Sequence, residues 1–241
     1  KDDNPGGKLH CRGSVKSLSY KTRSASKVKR MGPYAYIAIE GNIGAGKTTF
    51  SKLMAERTGS KVIHERFAEN PFLERFYENP ESHAFSVELA FLADRFKQLG
   101  EALGSRNLFR QNVISDYNFA KSLIFAKANL PKNEFSLFRT MFRLMEDQIP
   151  SPEVIAILNP GLEKVKEQIK ERGRKFEQDL PKGYLEKIEN GYKSYYKSHR
   201  GSRILLIDTS ELDFVENLED YEKLFNCIIT PRKPGVYEIK P

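Results

Sequence analysis

The sequence has no tryptophan and only two cysteines in 241 residues. Cys11 and Cys227 fit no metal-ligand spacing and are too few for a disulfide framework, which leaves a reducing, cytoplasmic setting as the expectation. Also missing is any apolar run near the ~18 residues that a membrane-spanning helix requires. No membrane partner is expected. Sixteen phenylalanines and eleven tyrosines are left to supply the aromatic burial. The length is enough for one large domain with a full core.

A basic excess is lacking from the body too, although the net charge is +8. Residues 1–30 hold nine Lys/Arg and two Asp, whereas the other 211 residues hold 31 basic and 30 acidic side chains. The excess belongs to the leader, so the body implies no nucleic-acid partner. Residues 1–30 are rich in Lys, Arg, Ser and Gly without apolar periodicity, and Met31 stands just before the first strand-like run. They read as a flexible basic leader or as sequence added upstream, with a transit peptide as the alternative. A secretory signal is excluded by the missing apolar segment. Residues 31–241 read as one folded domain.

Within that domain short apolar runs alternate with helical patterns. Strands are expected at 34–40, 61–65, 112–116, 154–159 and 203–209, and helices include one near 82–102 and one near 119–130. Nearly continuous apolar strands are those of a parallel sheet covered on both faces, and the alternation gives an α/β fold. Such sheets bind ligands outside the carboxyl ends of their strands. The first expected strand ends at Gly41, the second at Glu65 and the third at Asp116.

The first of these ends opens "YIAIEGNIGAGKTTF", residues 36–50. Gly41-Asn42-Ile43-Gly44-Ala45-Gly46-Lys47-Thr48 fits G-x-x-x-x-G-K-[ST] in full, with a strand before it and a helix after it. Glycines let backbone N–H groups wrap phosphates, and the following helix N-terminus favours negative charge. Gly41 to Thr49 are therefore the expected ATP phosphate site. Lys47 reaches the β- and γ-phosphates and Thr48 holds Mg²⁺. Asp116 either completes the magnesium site or caps the helix after it. Glu65 is either a general base for a hydroxyl acceptor or a solvated strand-end acid. In "ERGRKFEQDL" (171–180), Arg172 and Arg174 flank Gly173, either as a mobile lid that clamps phosphoryl oxygens or as a charged helix end.

These segments together resemble the deoxynucleoside kinase family, in its bacterial deoxyadenosine/deoxyguanosine kinase branch. The likeness runs through "ERFAENPFLERFYENPE", "FLADRFKQL", "ISDYNFAKSLIFA", "ERGRKFEQ" and "DFVENLEDYEKL", and covers nearly everything after Met31. It implies a P-loop kinase fold with a five-stranded parallel sheet flanked by helices, an arginine-bearing lid and a homodimer. It also implies transfer of the γ-phosphoryl group of ATP to the 5′-hydroxyl of a purine deoxynucleoside, with Mg²⁺, in nucleotide salvage.

By that resemblance Glu65 is the base that accepts the 5′-hydroxyl proton, although Arg66-Phe67 replace the family's Pro-Val. Tyr77 and Glu177 fall on the residues that contact the 3′-hydroxyl, and Arg172 and Arg174 on the lid arginines. The family's base-reading Gln and Arg, seven residues apart on one helix face, become Glu88 and Arg95. An ionised Glu88 only accepts hydrogen bonds, and guanine presents two donors side by side, so deoxyguanosine is the expected substrate. Adenine would want a protonated Glu88. The structural alternative pairs Glu88 with Arg95 or Lys97. The family's Asp/Glu-Arg-Ser reads Asp116-Tyr117-Asn118 here, so an arginine is missing; Tyr117 offers one neutral donor, and Lys121 stands one turn on. Rival readings are a nucleoside monophosphate kinase, whose acceptor phosphate needs basic groups, and a nucleotide-binding regulator without phosphoryl transfer.

Overall fold

The computed structural model describes residues 31–104, 111–178, 180–197 and 201–241. The leader, residues 1–30, lies outside the described residues. From Met31 the order is β1 (Tyr36–Gly41), α1 (Lys47–Thr58), β2 (Lys61–Ile63), a 3₁₀ turn (Phe67–Glu69), α2 (Leu73–Glu78) and α3 (Pro80–Leu103). Then come β3 (Val113–Ser115), α4 (Lys121–Asn129), α5 (Lys132–Glu146), β4 (Val154–Asn159), α6 (Leu162–Arg172) and α7 (Lys175–Gln178). The chain closes with α8 (Tyr184–Lys197), β5 (Arg203–Asp208), α9 (Leu218–Ile229) and β6 (Gly235–Ile239).

Local chemistry sets the helix ends. The Asn79 side chain accepts the Ser82 N–H at 3.2 Å and Pro80 occupies the first turn, where its missing N–H costs nothing, so α3 starts there. Asn217 accepts from the N–H groups of Glu219 and Asp220 and starts α9. The acids of that first turn also complement the helix dipole.

All strand pairs are parallel, in the order β2-β3-β1-β4-β5-β6. β1 thus lies inside the sheet, and the loop after it opens between the ends of β3 and β4. The α/β architecture and the parallel sheet agree with the sequence reading, with one correction: the sheet has six strands rather than five. β6 pairs only with β5, from Arg203↔Gly235 to Ile207↔Ile239, and its side chains are half-buried or exposed. An edge strand with one neighbour needs no continuous apolar run, and "GVYEI" lacks one.

Alternation along β1 sends Ile37 and Ile39 to one face and Tyr36 to the other. The first face packs on α1 and α9 through Phe50, Met54, Tyr221 and Phe225. The second packs partly on α3 to α5, through Leu92, Leu99, Phe119, Phe138 and Phe142, and partly on α8, through Ile188, Tyr192 and Tyr196. Both faces being covered, the sheet offers its ends, and the polar residues collect at the carboxyl end. Among the described residues no helix is long and apolar enough to cross a membrane.

Phe50 anchors α1, and with it the phosphate loop, to the sheet. It is fully buried, with its ring 5.3 Å from Phe214 and 5.9 Å from Tyr221. Phe50→Ala should cost about 3–5 kcal/mol of stability, read from the midpoint of a urea titration.

Candidate active site

The loop of residues 41–46 joins β1 to α1. Gly46, immediately before α1, has φ 81, and a Cβ there would lie 2.8 Å from the Phe214 ring, so only glycine fits. Asn42 ties the loop to α8 by donating from Nδ2 to the Leu185 carbonyl at 2.8 Å. Lys47 Nζ donates to the Asn42 carbonyl at 2.7 Å, across the concave side of the loop. Desolvation and then the positive charge of Lys121 pull the Lys47 ammonium down to about 8. An anion in the loop would reverse that, because it favours the charged form.

Thr48 and Asp116 meet beside the loop. Thr48 Oγ1 donates to Asp116 Oδ2 at 2.6 Å, and His64 Nδ1 lies 3.1 Å from the same oxygen. Asp116 Oδ1 accepts the backbone N–H of Glu65 at 2.8 Å. Burial would raise the Asp116 carboxyl, but these hydrogen bonds outweigh it and hold it below its ordinary value. The capping alternative fails, since α4 starts only at Lys121. A carboxylate beside a hydroxyl is a hard oxygen pair of the kind magnesium uses.

Glu65 stands two residues beyond β2, which ends at Ile63 rather than at Glu65. The sequence pattern overran because "HE" follows the strand directly but lies outside its pairing with β3. Glu65 is not a solvated acid: Oε1 accepts from Arg95 Nε at 2.9 Å and Nη2 at 2.7 Å, and Oε2 from Lys121 Nζ at 2.6 Å. Burial alone would raise this carboxyl; the charges of Lys121 and Arg95 more than offset it and hold it well below the carboxylate range. Arg95 also donates from Nη1 to Ser122 Oγ at 2.8 Å. Arg95 therefore bonds Glu65 and Ser122, while its charge also bears on Glu88.

Glu88 is 2% exposed. Its Oε1 accepts from Asn129 Nδ2 at 2.6 Å, and its Oε2 is buried without a hydrogen-bond partner. Neither Arg95 nor Lys97 hydrogen-bonds it among the described residues; in place of that structural alternative the partner is Asn129, on α4. Burial pushes the Glu88 carboxyl up to about 7. Tyr77 shares this region: burial, then the charges of Glu177 and Glu88, raise its hydroxyl.

Gly173, with φ 66, ends α6 and turns the chain into α7. Arg172 Nη2 donates to Glu177 Oε2, and Arg174 Nη1 to Glu177 Oε1 at 3.2 Å. The Arg174 guanidinium lies 3.8 Å above the ring of Phe67, two residues after Glu65. The two arginines and Glu177 thus close over the same end of the sheet as Glu65 and Tyr77, rather than forming an open helix end.

The family model for deoxynucleoside kinases matches residues 37–230. The chain belongs to the deoxynucleoside kinase family. It is an ATP-dependent enzyme that phosphorylates deoxynucleosides. Similar proteins include the deoxyguanosine kinase of Bacillus subtilis, 33% identical over 78% of this chain and 93% of the relative, and the deoxyadenosine kinase of Lactobacillus acidophilus, 26% identical over 80% and 94%. A solved deoxyadenosine kinase from M. mycoides, described with bound dCTP, has a TM-score of 0.68 over 80% of this chain and 97% of its own, at 24% identity. That likeness shows the fold.

Against the family pattern, Tyr117 does not fill the place of the missing arginine. It is fully buried in the α3–α5 side of the core, and its hydroxyl donates to Gln98 Oε1. The sequence reading passed over Glu40, Ser122 and Asn129. Glu40 ends the apolar part of β1, is fully buried, and accepts from the Asn118 N–H at 2.6 Å and the Tyr192 hydroxyl at 2.8 Å. A lone carboxylate inside "YIAIEG" was the available signal. Asn129 and Ser122 carry none, because their partners lie on another helix.

Asp116→Asn keeps the size of the side chain but turns one acceptor oxygen into a donor. It should lower turnover on the order of 10²–10³-fold, with little change in melting temperature, as read by ADP release and by circular dichroism.

Proposed function

We propose that this kinase moves the γ-phosphoryl group of ATP to the 5′-hydroxyl of a purine deoxynucleoside, deoxyguanosine ahead of deoxyadenosine. The observation that carries the preference is Glu88, buried, with Oε2 unpartnered. A buried acceptor without a donor is costly, and guanine brings two adjacent donors, N1–H and the 2-amino group. Adenine brings acceptors at its ring nitrogens and would need Glu88 protonated.

In this reading the loop from Gly41 to Thr49 cradles the ATP phosphates and Lys47 leaves the Asn42 carbonyl for the β- and γ-oxygens. Magnesium fits Thr48 and Asp116, and it would neutralise phosphate charge when bound. Among the described residues no cluster of three His, Cys, Asp or Glu forms a cage, so its remaining positions would be filled by phosphate and water. Glu65, ionised and oriented by Arg95, accepts the 5′-hydroxyl proton. Tyr77 and Glu177 hold the 3′-hydroxyl, and Arg172 and Arg174 exchange Glu177 for phosphoryl oxygens as charge spreads. Arg95 supports the base site through its charge beside Glu88.

A monophosphate acceptor is disfavoured by the same groups. Glu65, Glu88 and Glu177 surround the acceptor, and the charges of Arg95 and Lys121 are balanced in part by Glu65. A homodimer is supported by α5, where Leu137 is 56% and Leu144 is 70% exposed, seven residues apart on one face. A second copy would cover them. The low cysteine content supports a cytoplasmic setting.

The test is phosphorylation of the four deoxynucleosides and their monophosphates with ATP and Mg²⁺, at about pH 6 and about pH 8. Purine deoxynucleosides should be the better acceptors. Above about 7 Glu88 is ionised and accepts both guanine donors, and below it the protonated acid donates to adenine. The ratio of kcat/KM for deoxyguanosine over deoxyadenosine should therefore rise with pH. Activity on monophosphates alone, or a better rate with deoxycytidine or thymidine, would overturn the reading.

A further inference from the structure

The catalytic cluster holds two buried cations, Arg95 and Lys121, on one carboxylate. Arg95 uses Nε, Nη1 and Nη2 on Glu65 and Ser122. Lys121, the first residue of α4, is 6% exposed and makes one hydrogen bond, to Glu65 Oε2 at 2.6 Å. An ammonium carries three N–H donors. Two of those on Lys121 have no hydrogen-bond partner among the described residues. The Phe125 ring lies 5.4 Å from this ammonium but accepts no conventional hydrogen bond, and burying a lysine with unused donors is costly, which points to a ligand oxygen that completes it.

Two further observations bear on where that oxygen lies. Lys121 is near enough to Lys47 for its charge to be the second cause, after desolvation, of the depressed Lys47 ammonium. Hydrogen bonds run from Lys121 to Glu65, from the Glu65 N–H to Asp116 and from Thr48 to Asp116, which links Lys121 to the residue after Lys47 through two carboxylates. Tyr117, which follows Asp116 directly, is turned into the core and cannot supply a cation there.

On the reading that the acceptor is a nucleoside 5′-hydroxyl, we propose that Lys121 is a catalytic residue: it holds Glu65 before the nucleoside arrives and then hydrogen-bonds the 5′-oxygen as that oxygen attacks. In the step, the 5′-oxygen forms a bond to the γ-phosphorus and its proton passes to Glu65. The bond from that phosphorus to the β,γ-bridging oxygen breaks, and ADP leaves with the electron pair. Lys121 stays an ammonium throughout. Its charge offsets the negative charge gathering on the 5′-oxygen and the transferred phosphoryl group.

The charge of Lys121 bears on Glu40, Lys47, Glu65 and Glu88. Losing one of its two cations should raise the Glu65 carboxyl. A structural lysine would produce the same rise, so the split between kcat and binding and the rescue by arginine carry the test.

The experiment compares wild type, Lys121→Met, Lys121→Gln, Lys121→Arg and Tyr117→Phe on deoxyguanosine with ATP and Mg²⁺, together with equilibrium binding of deoxyguanosine. Wild-type turnover on the deoxynucleoside is scored first; if it is absent, the acceptor reading fails and this inference falls with it. Given that turnover, Lys121→Met and Lys121→Gln should lower kcat on the order of 10²–10³-fold, with binding changed by no more than about threefold. Lys121→Arg should recover at least about tenfold of the loss, and Tyr117→Phe should leave kcat unchanged. The glutamine variant keeps a polar group in place, so a misfolded methionine variant does not remove the test. Turnover within about threefold of wild type in Lys121→Gln, or an arginine variant no better than glutamine, would overturn the proposal while leaving the acceptor reading intact.

Discussion

One carboxylate, Glu65, ties together three elements that would otherwise be independent. Its side chain joins Arg95 of α3 to Lys121 of α4, and its backbone N–H is held by Asp116 after β3. Burying any one of these charges alone would be prohibitive, whereas together they satisfy each other. The same network keeps Glu65 ionised. A base so strongly paired is a weak proton acceptor in the ground state. That suits phosphoryl transfer, where positioning and charge stabilisation dominate and the hydroxyl proton moves late.

Asp116 extends the constraint to the donor side. One of its oxygens fixes the backbone of Glu65, and the other takes the hydroxyl of Thr48 at the start of α1. The position of the phosphate loop and the position of Glu65 therefore depend on a single side chain. Glu40 supplies a parallel link: from the end of β1 it reaches Asn118, before α4, and Tyr192 on α8. The lid completes the enclosure through Arg174 and Phe67, a contact that places an aromatic ring where the resemblance would have put valine.

The strand ends were legible in the sequence because continuous apolar runs followed by a glycine or an acid mark buried parallel strands. The phosphate loop was legible because its glycines are demanded by geometry. Glu65 and Asp116 were found by the same logic, even though β2 stops two residues short of Glu65. What the sequence left open were contacts between helices. Whether Glu88 meets Arg95 or Asn129 depends on how α3 lies on α4, which no local pattern encodes. Tyr117 turns inward because the core beside α3 has room for a ring and Gln98 offers an acceptor, again a tertiary fact. β6 escaped notice because its surroundings demand little of its sequence.

The central claim is that the paired carboxylate of Glu65 acts on the reacting hydroxyl rather than merely holding the fold. Glu65→Gln tests it most directly, since glutamine keeps the shape and loses the charge. The measurement is single-turnover phosphorylation of deoxyguanosine beside its equilibrium binding. The account predicts a rate lower by about 10²–10⁴-fold with binding little changed. A rate equal to that of the unmodified enzyme would contradict it.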